Sequence, residues 1–470
     1  MRRDAAEANS PARCAERRRR LAAAMAAQGG GIAVLPTAPE RQRNGDNDHP
    51  YRHCSHFHYL SGFDEPQAWL LLDDSGHSTL LCREKNAERE IWDGHRLGPE
   101  AAPAALGVDE AHPVEALDRV AIDKLAGAAA VWLPFGVHDG LVARVDGWLA
   151  ALRGRSHLGI RSPQSQHDLA PLLAEMRLVK DEGELATMRR AARISAGAHV
   201  RAMRFAAAHF RAAPQAGLPE YALEAELLHE FRRHGAQSPA YGAIVAAGRN
   251  ACVLHYAAGD TELRAGELCL IDAGCELDGY ASDVTRTFPA DGRFTPAQRE
   301  LYDIVLEAQQ AAIAVTRPGA RKQDAHWAAV RVLAQGMLDA GLLDRNKVGD
   351  VEAVIESAAY RAFYMHGTGH WLGRDVHDVG EVLALDEPPV EQRDGYGARV
   401  LKKPSRVLRP GMVITVEPGL YVRPAEGVPE RFWNIGIRIE DDAVITATGC
   451  ELISRDVPVD PREIERLMRG

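Results

Sequence analysis

The residues that can do chemistry gather in the C-terminal half of this chain. The stretch Leu270-Ile-Asp-Ala-Gly-Cys-Glu-Leu-Asp-Gly-Tyr-Ala-Ser-Asp-Val-Thr-Arg-Thr-Phe contains Asp278-Gly279, a strong signal for a two-residue hairpin loop. With those two as the loop, Leu277 faces Tyr280 and Asp272 sits opposite Thr285. Asp272 and Asp283 then become diagonal neighbours on one face. Two carboxylates so placed on a mostly apolar hairpin repel unless one is protonated or a cation bridges them. Glu417 ends the apolar run Met412-Val-Ile-Thr-Val-Glu. Glu440 closes Ile435-Gly-Ile-Arg-Ile-Glu, two residues after Arg438 and on the same strand face. Charges inside runs this apolar are almost never buried without partners. His370, from His366-Gly-Thr-Gly-His, makes the set four carboxylates and one imidazole. Oxygen-rich ligation with a single nitrogen suits Mn²⁺ or a similar divalent ion. Two such ions about 3.5–4 Å apart can deprotonate a bridging water and polarise a peptide carbonyl.

The elements that must position these residues are readable from periodicity and caps. Strands are expected at 242–246, 268–274, 281–288, 412–417 and 435–446. Asp181 with Glu184 reads as a capping box opening a long helix. A second helix runs over 220–234 and stops at His234-Gly235. A third opens at Thr295-Pro296 with Gln298 at its third position. The N-terminal part alternates strands at 32–36, 68–72, 78–82 and 129–133 with helices at 15–27, 113–128 and 141–152, an α/β pattern with no catalytic constellation. His53, His56 and His58 crowd one segment there, and packing or exposure is the expectation for them rather than a metal site. The domain boundary is placed at 175/176, giving an α/β domain over 1–175 and an α+β domain over 176–470.

Composition narrows the class further. At 470 residues the chain exceeds one ordinary core, so two domains are the prior. A formal charge of -10 argues against nucleic acid or an anionic membrane as partner, and no apolar run approaches the ~20 residues of a membrane span. The seven arginines of the first twenty residues are interspersed with Asp4, Glu7 and Glu16, unlike an acid-poor presequence, and no secretory apolar core follows. Seven scattered cysteines without a CxxC suit a reducing compartment, with the cytoplasm as default.

In order along the chain, several motifs together resemble the creatinase/prolidase group of metallopeptidases, and within it the bacterial aminopeptidase P family. They are His255-Tyr, the Asp272 to Asp283 hairpin, His366-Gly-Thr-Gly-His-Trp-Leu-Gly, Asp375-Val-His-Asp-Val-Gly, Thr415-Val-Glu-Pro-Gly and Gly436-Ile-Arg-Ile-Glu-Asp. The likeness extends into the first domain at Leu60-Ser-Gly-Phe-Asp-Glu-Pro and Glu90-Ile-Trp-Asp-Gly-His-Arg-Leu-Gly. The resemblance implies a pita-bread catalytic domain with pseudo-twofold symmetry and a dinuclear site. Asp272 would bind one ion, His370 and Glu417 the other, and Asp283 and Glu440 both. Glu417 would also act as general base, with His255 and His377 hydrogen-bonded to the substrate. His366, Arg438 and Tyr241 would support the cluster. The implied activity is release of the first residue from peptides with proline second, by a cytoplasmic Mn²⁺ enzyme that forms a homodimer or homotetramer through its first domain.

Two departures from the family pattern stand out. Gly369 occupies a position where many relatives carry Ser, an exchange expected to be harmless. The stretch 382–403 is longer than the usual connection, a feature more like prolidase, which cleaves only dipeptides. The short Glu417–Glu440 spacing favours aminopeptidase P, and a surface loop is the expectation for the insert, ahead of a lid. A non-catalytic peptide-binding relative is the third reading, disfavoured because all five ligand positions are present.

Overall fold

The computed structural model describes residues 7–394 and 397–470. The chain divides into two compact units, Met1–Arg177 and Leu178–Gly470. Among the described residues no helix is long and apolar enough to cross a membrane.

The first unit is built on a six-stranded mixed sheet in the spatial order Glu110–Pro113, Ser78–Cys82, Trp69–Asp73, Ile32–Pro36, Ala130–Leu133, Ser165–Asp168. The central strand Ile32–Pro36 is buried along its whole length, and its alternation serves two cores. Ala33 and Leu35 pack with Leu21 and Met25 of the helix Pro11–Ala26, whereas Val34 packs with Val120 and Val145 of the helices Leu117–Leu125 and Leu141–Arg153. The first helix starts four residues earlier than the periodicity suggests, because Ser10 caps it and Pro11 takes the first turn. The expected helix at 113–128 begins instead as the end of the strand Glu110–Pro113, since the proline's fixed φ suits an extended strand end. The crowded histidines lie on or beside the helix Ser55–Ser61. His53 stacks on His58 at 3.7 Å and His56 meets Arg177 at 3.2 Å, so they pack against protein groups.

The second unit runs twice through one order, a helix pair followed by strands. Glu182–Ala212 and Glu220–Arg233 precede the strands Ile244–Ala247, Leu268–Asp272 and Thr285–Pro289. Pro296–Val315 and Lys322–Asp339 precede Val413–Val416, Gly419–Val422, Ile435–Arg438 and Asp441–Ile445. Both expected capping boxes form, at Asp181/Glu184 and Thr295/Gln298. The Asp278-Gly279 turn has φ of 52° and 77°, the two positive values that a type I′ loop requires. Its register holds along the whole hairpin, with Leu277 opposite Tyr280 and Asp272 opposite Thr285. The strand Thr285–Pro289 is the seam between the two halves. Glu440 N–H donates to Thr285 O at 3.1 Å, and Thr287 Oγ1 exchanges bonds with Arg438 N and O.

Two expected strands are broken. The run 281–288 splits into Tyr280–Ala281 and Thr285–Pro289, and 435–446 into Ile435–Arg438 and Asp441–Ile445. The long insert carries a largely exposed hairpin, Val390–Arg393 against Arg399–Lys402. Gly395 and Tyr396 within it lie outside the described residues.

Candidate active site

The strand interruptions coincide with the carboxylates. Asp272 ends its strand, Asp283 and Glu440 lie in the two breaks just described, and Glu417 sits between Val413–Val416 and Gly419–Val422. At such points the backbone leaves its ladder, so a side chain in an otherwise apolar run can turn into a cavity. That cavity has a volume of about 720 Å³ and is lined by Tyr241, His255, Asp272, Asp283, His366, His370, His377, Glu417, Arg438 and Glu440. Every site residue singled out in the sequence therefore reaches one place.

Oxygen or nitrogen atoms of Asp283, His370 and Glu440 lie within 4.8 Å of one another. His370 Nε2 is 3.3 Å from Asp283 and 3.7 Å from Glu417. Its Nδ1 is 2.9 Å from the Trp371 carbonyl oxygen, an atom that only accepts, so Nδ1 carries the hydrogen and Nε2 is left to ligate. Asp272 stands further out, turned to Arg438 at 2.5 Å and to the Tyr241 hydroxyl at 2.6 Å. Tyr241 Oη also contacts Asp283. One hydroxyl owns one hydrogen, so with no cation present the second contact needs a proton on a carboxyl group.

Electrostatics agree with that count. Burial pushes the Asp283 carboxyl up, and the neighbouring Asp272 pushes it further. Glu440 is driven well above the usual carboxylate range by burial and by Asp283 and Glu417. Burial raises Glu417 to about 7 against the pull of His370 and Arg438. Burial alone would raise Asp272 too, but Arg438 and the Tyr241 hydrogen bond outweigh it and hold the group low. His370 is disfavoured as a cation by burial, yet Asp283 and Glu417 lift it to about 9. Five carboxylates, Glu224 with the four named, thus face a space in which Arg438 is the one Arg or Lys among the described lining residues. An oxygen-rich set with a presented imidazole nitrogen and surplus negative charge fits a pair of divalent cations.

Several positioning residues gave no sequence signal. Thr285 Oγ1 donates to Glu440 at 2.6 Å and accepts from Arg438 Nε at 3.2 Å. Tyr421 links Arg438 Nη1 at 3.0 Å to His366 Nε2 at 2.8 Å. His366 Nδ1 faces the Gly367 carbonyl oxygen at 2.7 Å, and burial beside Arg438 lowers this imidazole to about 3. It is therefore neutral, donating through Nδ1 and accepting from Tyr421 through Nε2. Asp442, fully buried, receives the Asp283 N–H at 3.2 Å. His377 packs edge-on against His370 with ring centroids 4.3 Å apart, while His255 lines the cavity from an exposed position. Arg286, Asp441 and Gln309 form a buried knot behind Glu440, whose carbonyl oxygen accepts from Arg286 Nη1 at 2.6 Å. Adjacent acidic pairs such as Asp441-Asp442 look like surface charge in a sequence, and their partners lie far away along the chain.

Gly369 sits at a close backbone approach. A Cβ at Gly369 would stand 1.9 Å from the Thr415 carbonyl oxygen, because 368–371 runs against Val413–Val416 through bonds such as Thr415 N–H to His370 O at 3.0 Å. On this backbone a serine at 369 is not neutral, since the segment carrying His370 must shift to admit it.

Comparison with known proteins agrees with this geometry. Residues 186–447 match the model of metallopeptidase family M24, and residues 14–132 match the aminopeptidase P N-terminal domain. The chain is 44% identical over 455 residues to a Xaa-Pro aminopeptidase of Escherichia coli, covering 96% of each chain. It is 40% identical to one from Haemophilus influenzae, again with 96% of each covered. The structure of Pseudomonas aeruginosa aminopeptidase PepP superposes with a TM-score of 0.87 at 44% identity, covering 97% of this chain and 98% of that one. Escherichia coli aminopeptidase P carrying the inhibitor Pro-Leu superposes at 0.88 and 42% identity, with 98% of each covered. An α/β N-terminal domain thus precedes a pita-bread catalytic domain, and this chain belongs to metallopeptidase family M24, in its aminopeptidase P branch.

Proposed function

We propose that this chain is a Xaa-Pro aminopeptidase that releases the N-terminal residue from peptides with proline at position two. The observation that carries the reading is the buried convergence of Asp272, Asp283, His370, Glu417 and Glu440 in one cavity that His255 and His377 also line. In the proposed assignment Asp272 would hold one divalent ion, His370 and Glu417 the other, and Asp283 and Glu440 would be shared between them. Mn²⁺ is the ion favoured by the donor set. Such ions, when bound, lower the pKa of water and polarise the scissile carbonyl.

The side chains do the rest. Glu417, in the cavity beside Asp283 and Glu440, is the carboxylate placed to take the proton of the attacking water. His377, whose pKa is lowered by partial burial and then by the nearby His370 and His255, hydrogen-bonds the substrate with His255 and steadies the oxyanion as it develops. Arg438 and Tyr421 fix His366, while Tyr241 and Arg438 fix Asp272. A proline nitrogen has no N–H, so a site organised around the preceding carbonyl accepts what peptidases needing that donor reject. The domain boundary at 175/176 belongs to the same proposal, as does a homodimer or homotetramer formed through the first domain. Ile91 and Trp92, 81% and 83% exposed, give that domain an apolar surface to cover, and light scattering would measure the mass. All seven cysteines are free thiols, a state suited to the cytoplasm.

The deciding experiment compares a Xaa-Pro dipeptide with a Xaa-Pro-Yaa tripeptide, using metal-stripped protein with and without Mn²⁺. Metal-dependent release of the first residue from the tripeptide is expected. Cleavage of the dipeptide alone would make the enzyme a prolidase, with the insert hairpin closing the cleft. No cleavage of either by metal-loaded protein would leave a peptide-binding relative.

A further inference from the structure

The cavity that holds the carboxylate cluster has a second, apolar side. Glu224 lines it from the helix Glu220–Arg233, together with Ala243, Ile244, Leu254, Ala257 and Ala258. Ile244 is the register partner of Asp272, so their side chains share one face of the sheet. Ile244, Leu254 and Tyr256 pack in one apolar cluster. An apolar wall therefore starts beside the ligand cluster. Glu224 is the one carboxylate among the described lining residues that the ligand assignment leaves unused.

Glu220, one turn earlier on the same helix face, builds this side. Its buried carboxylate accepts from Ala247 N–H at 2.8 Å, Asn250 Nδ2 at 2.9 Å, Tyr256 Oη at 2.9 Å and Gly259 N–H at 3.1 Å. Four donors fill its acceptor sites and tie the strand Ile244–Ala247 and the segment 250–259 to the helix before any ligand arrives. Glu224 stands about 6 Å further along the helix axis in the opposite condition. It is half-buried and has neither a hydrogen bond nor an ion pair among the described residues. Burial pushes its carboxyl up.

A carboxylate partly removed from water without a donor is costly until a cation meets it. Beside an apolar wall, the complementary group is a cation on an aliphatic stem, the chemistry of a lysine or arginine side chain. We infer that Glu224 selects a basic side chain on the first residue of the peptide, whose stem lies along Ile244 and Leu254. The inference rests on the aminopeptidase reading above, because release of one residue seats that residue's side chain inside the cavity, whereas the chain after the proline continues out of it. In this role Glu224 sets specificity and does not touch the reacting atoms.

The test measures kcat/KM of metal-loaded wild type and Glu224→Gln on Lys-Pro-Ala and norleucine-Pro-Ala, which share a stem and differ in the charge. The lysine-to-norleucine ratio should fall about tenfold or more in the variant, as for loss of a charge-assisted hydrogen bond, with most of the change in KM. An unchanged ratio would overturn the inference. An equal loss on both peptides gives that result too, since Glu224 would then serve the α-ammonium common to all substrates or the fold. A second pair, Ala-Pro-Lys and Ala-Pro-norleucine, checks the other direction. If Glu224→Gln changes that ratio instead, the carboxylate serves the third residue and the assignment falls. Wild type that cleaves neither norleucine-Pro-Ala nor Lys-Pro-Ala would sink the aminopeptidase reading and this subsite with it, whereas cleavage of both with an unchanged ratio in the variant sinks the subsite alone.

Discussion

Replacing Arg438 by methionine removes the one Arg or Lys among the described residues lining the carboxylate cavity and leaves its shape filled. The Arg438–Asp272 pair is 2.5 Å long, with side chains 4% and 13% exposed. Breaking such a pair from one side costs about 3–5 kcal/mol, because a buried charge is left uncompensated. At roughly 2–4 °C per kcal/mol for a domain of this size, metal-stripped Arg438→Met should melt about 10 °C below wild type at pH 7. Burial alone would raise the Asp272 pKa, but Arg438 and Tyr241 hold it below the usual value. Its stabilisation is therefore present above the unfolded pKa of about 4 and is lost as pH falls through the lower folded value. The difference between the two proteins should close in acid. Saturating Mn²⁺ should also narrow it, because the ions supply the charge that the guanidinium gave. Scanning calorimetry of both proteins, stripped and loaded, reads all three effects. A stripped variant melting within about 2 °C of wild type, or a gap that metal leaves unchanged, would refute this electrostatic account.

Glu417→Gln should lower kcat by about 10²–10⁴ as a lost general base does, with metal content by mass spectrometry deciding whether ligation survived. Asp442 is held well above the usual carboxylate range by burial and then by Asp283, which favours its protonated form. Asp442→Asn should accordingly keep kcat and metal content close to wild type. Asp442→Ala should cost about 1–3 kcal/mol of melting stability by orphaning the Asp283 N–H. His199, fully buried with Nε2 3.1 Å from Ala273 O, is lowered to about 4, first by burial. Its unfolded value is near 6.5, so the unfolded chain gains a proton that the folded one refuses as pH falls from 6.5 to 4. About 3 kcal/mol of stability should drain away across that window at 1.4 kcal/mol per unit. Denaturant titrations of His199→Gln should lack that part of the pH dependence.

Much of this site was legible because its signals are local. Asp278-Gly279 fixed the register that sets Asp272 and Asp283 side by side, and both capping boxes lie within four residues of chain. The breaks at Asp283 and Glu440 were not legible, since Val, Thr and Ile on either side read as one continuous strand. What interrupts them is a partner from the other half: Glu440 N–H bonds to Thr285 O. Tyr421 and Asp442 were missed for the same reason, as each acts on a residue more than fifty positions away. The tight fit at Gly369 depends on a backbone approach that no side-chain pattern encodes.

The division of ligands between the two halves has a consequence for biosynthesis. Asp272 emerges 168 residues before Glu440 (440 − 272), which at about 5–20 residues per second is roughly 10–30 s of translation. Within that interval His370, Glu417 and Arg438 emerge 98, 145 and 166 residues after Asp272, so the paired aspartates gain their partners one at a time and last of all the guanidinium and Glu440. Ion loading must therefore wait until the chain is nearly complete. The ion that is captured then depends on the exchangeable pool around the finished protein as well as on the donor atoms.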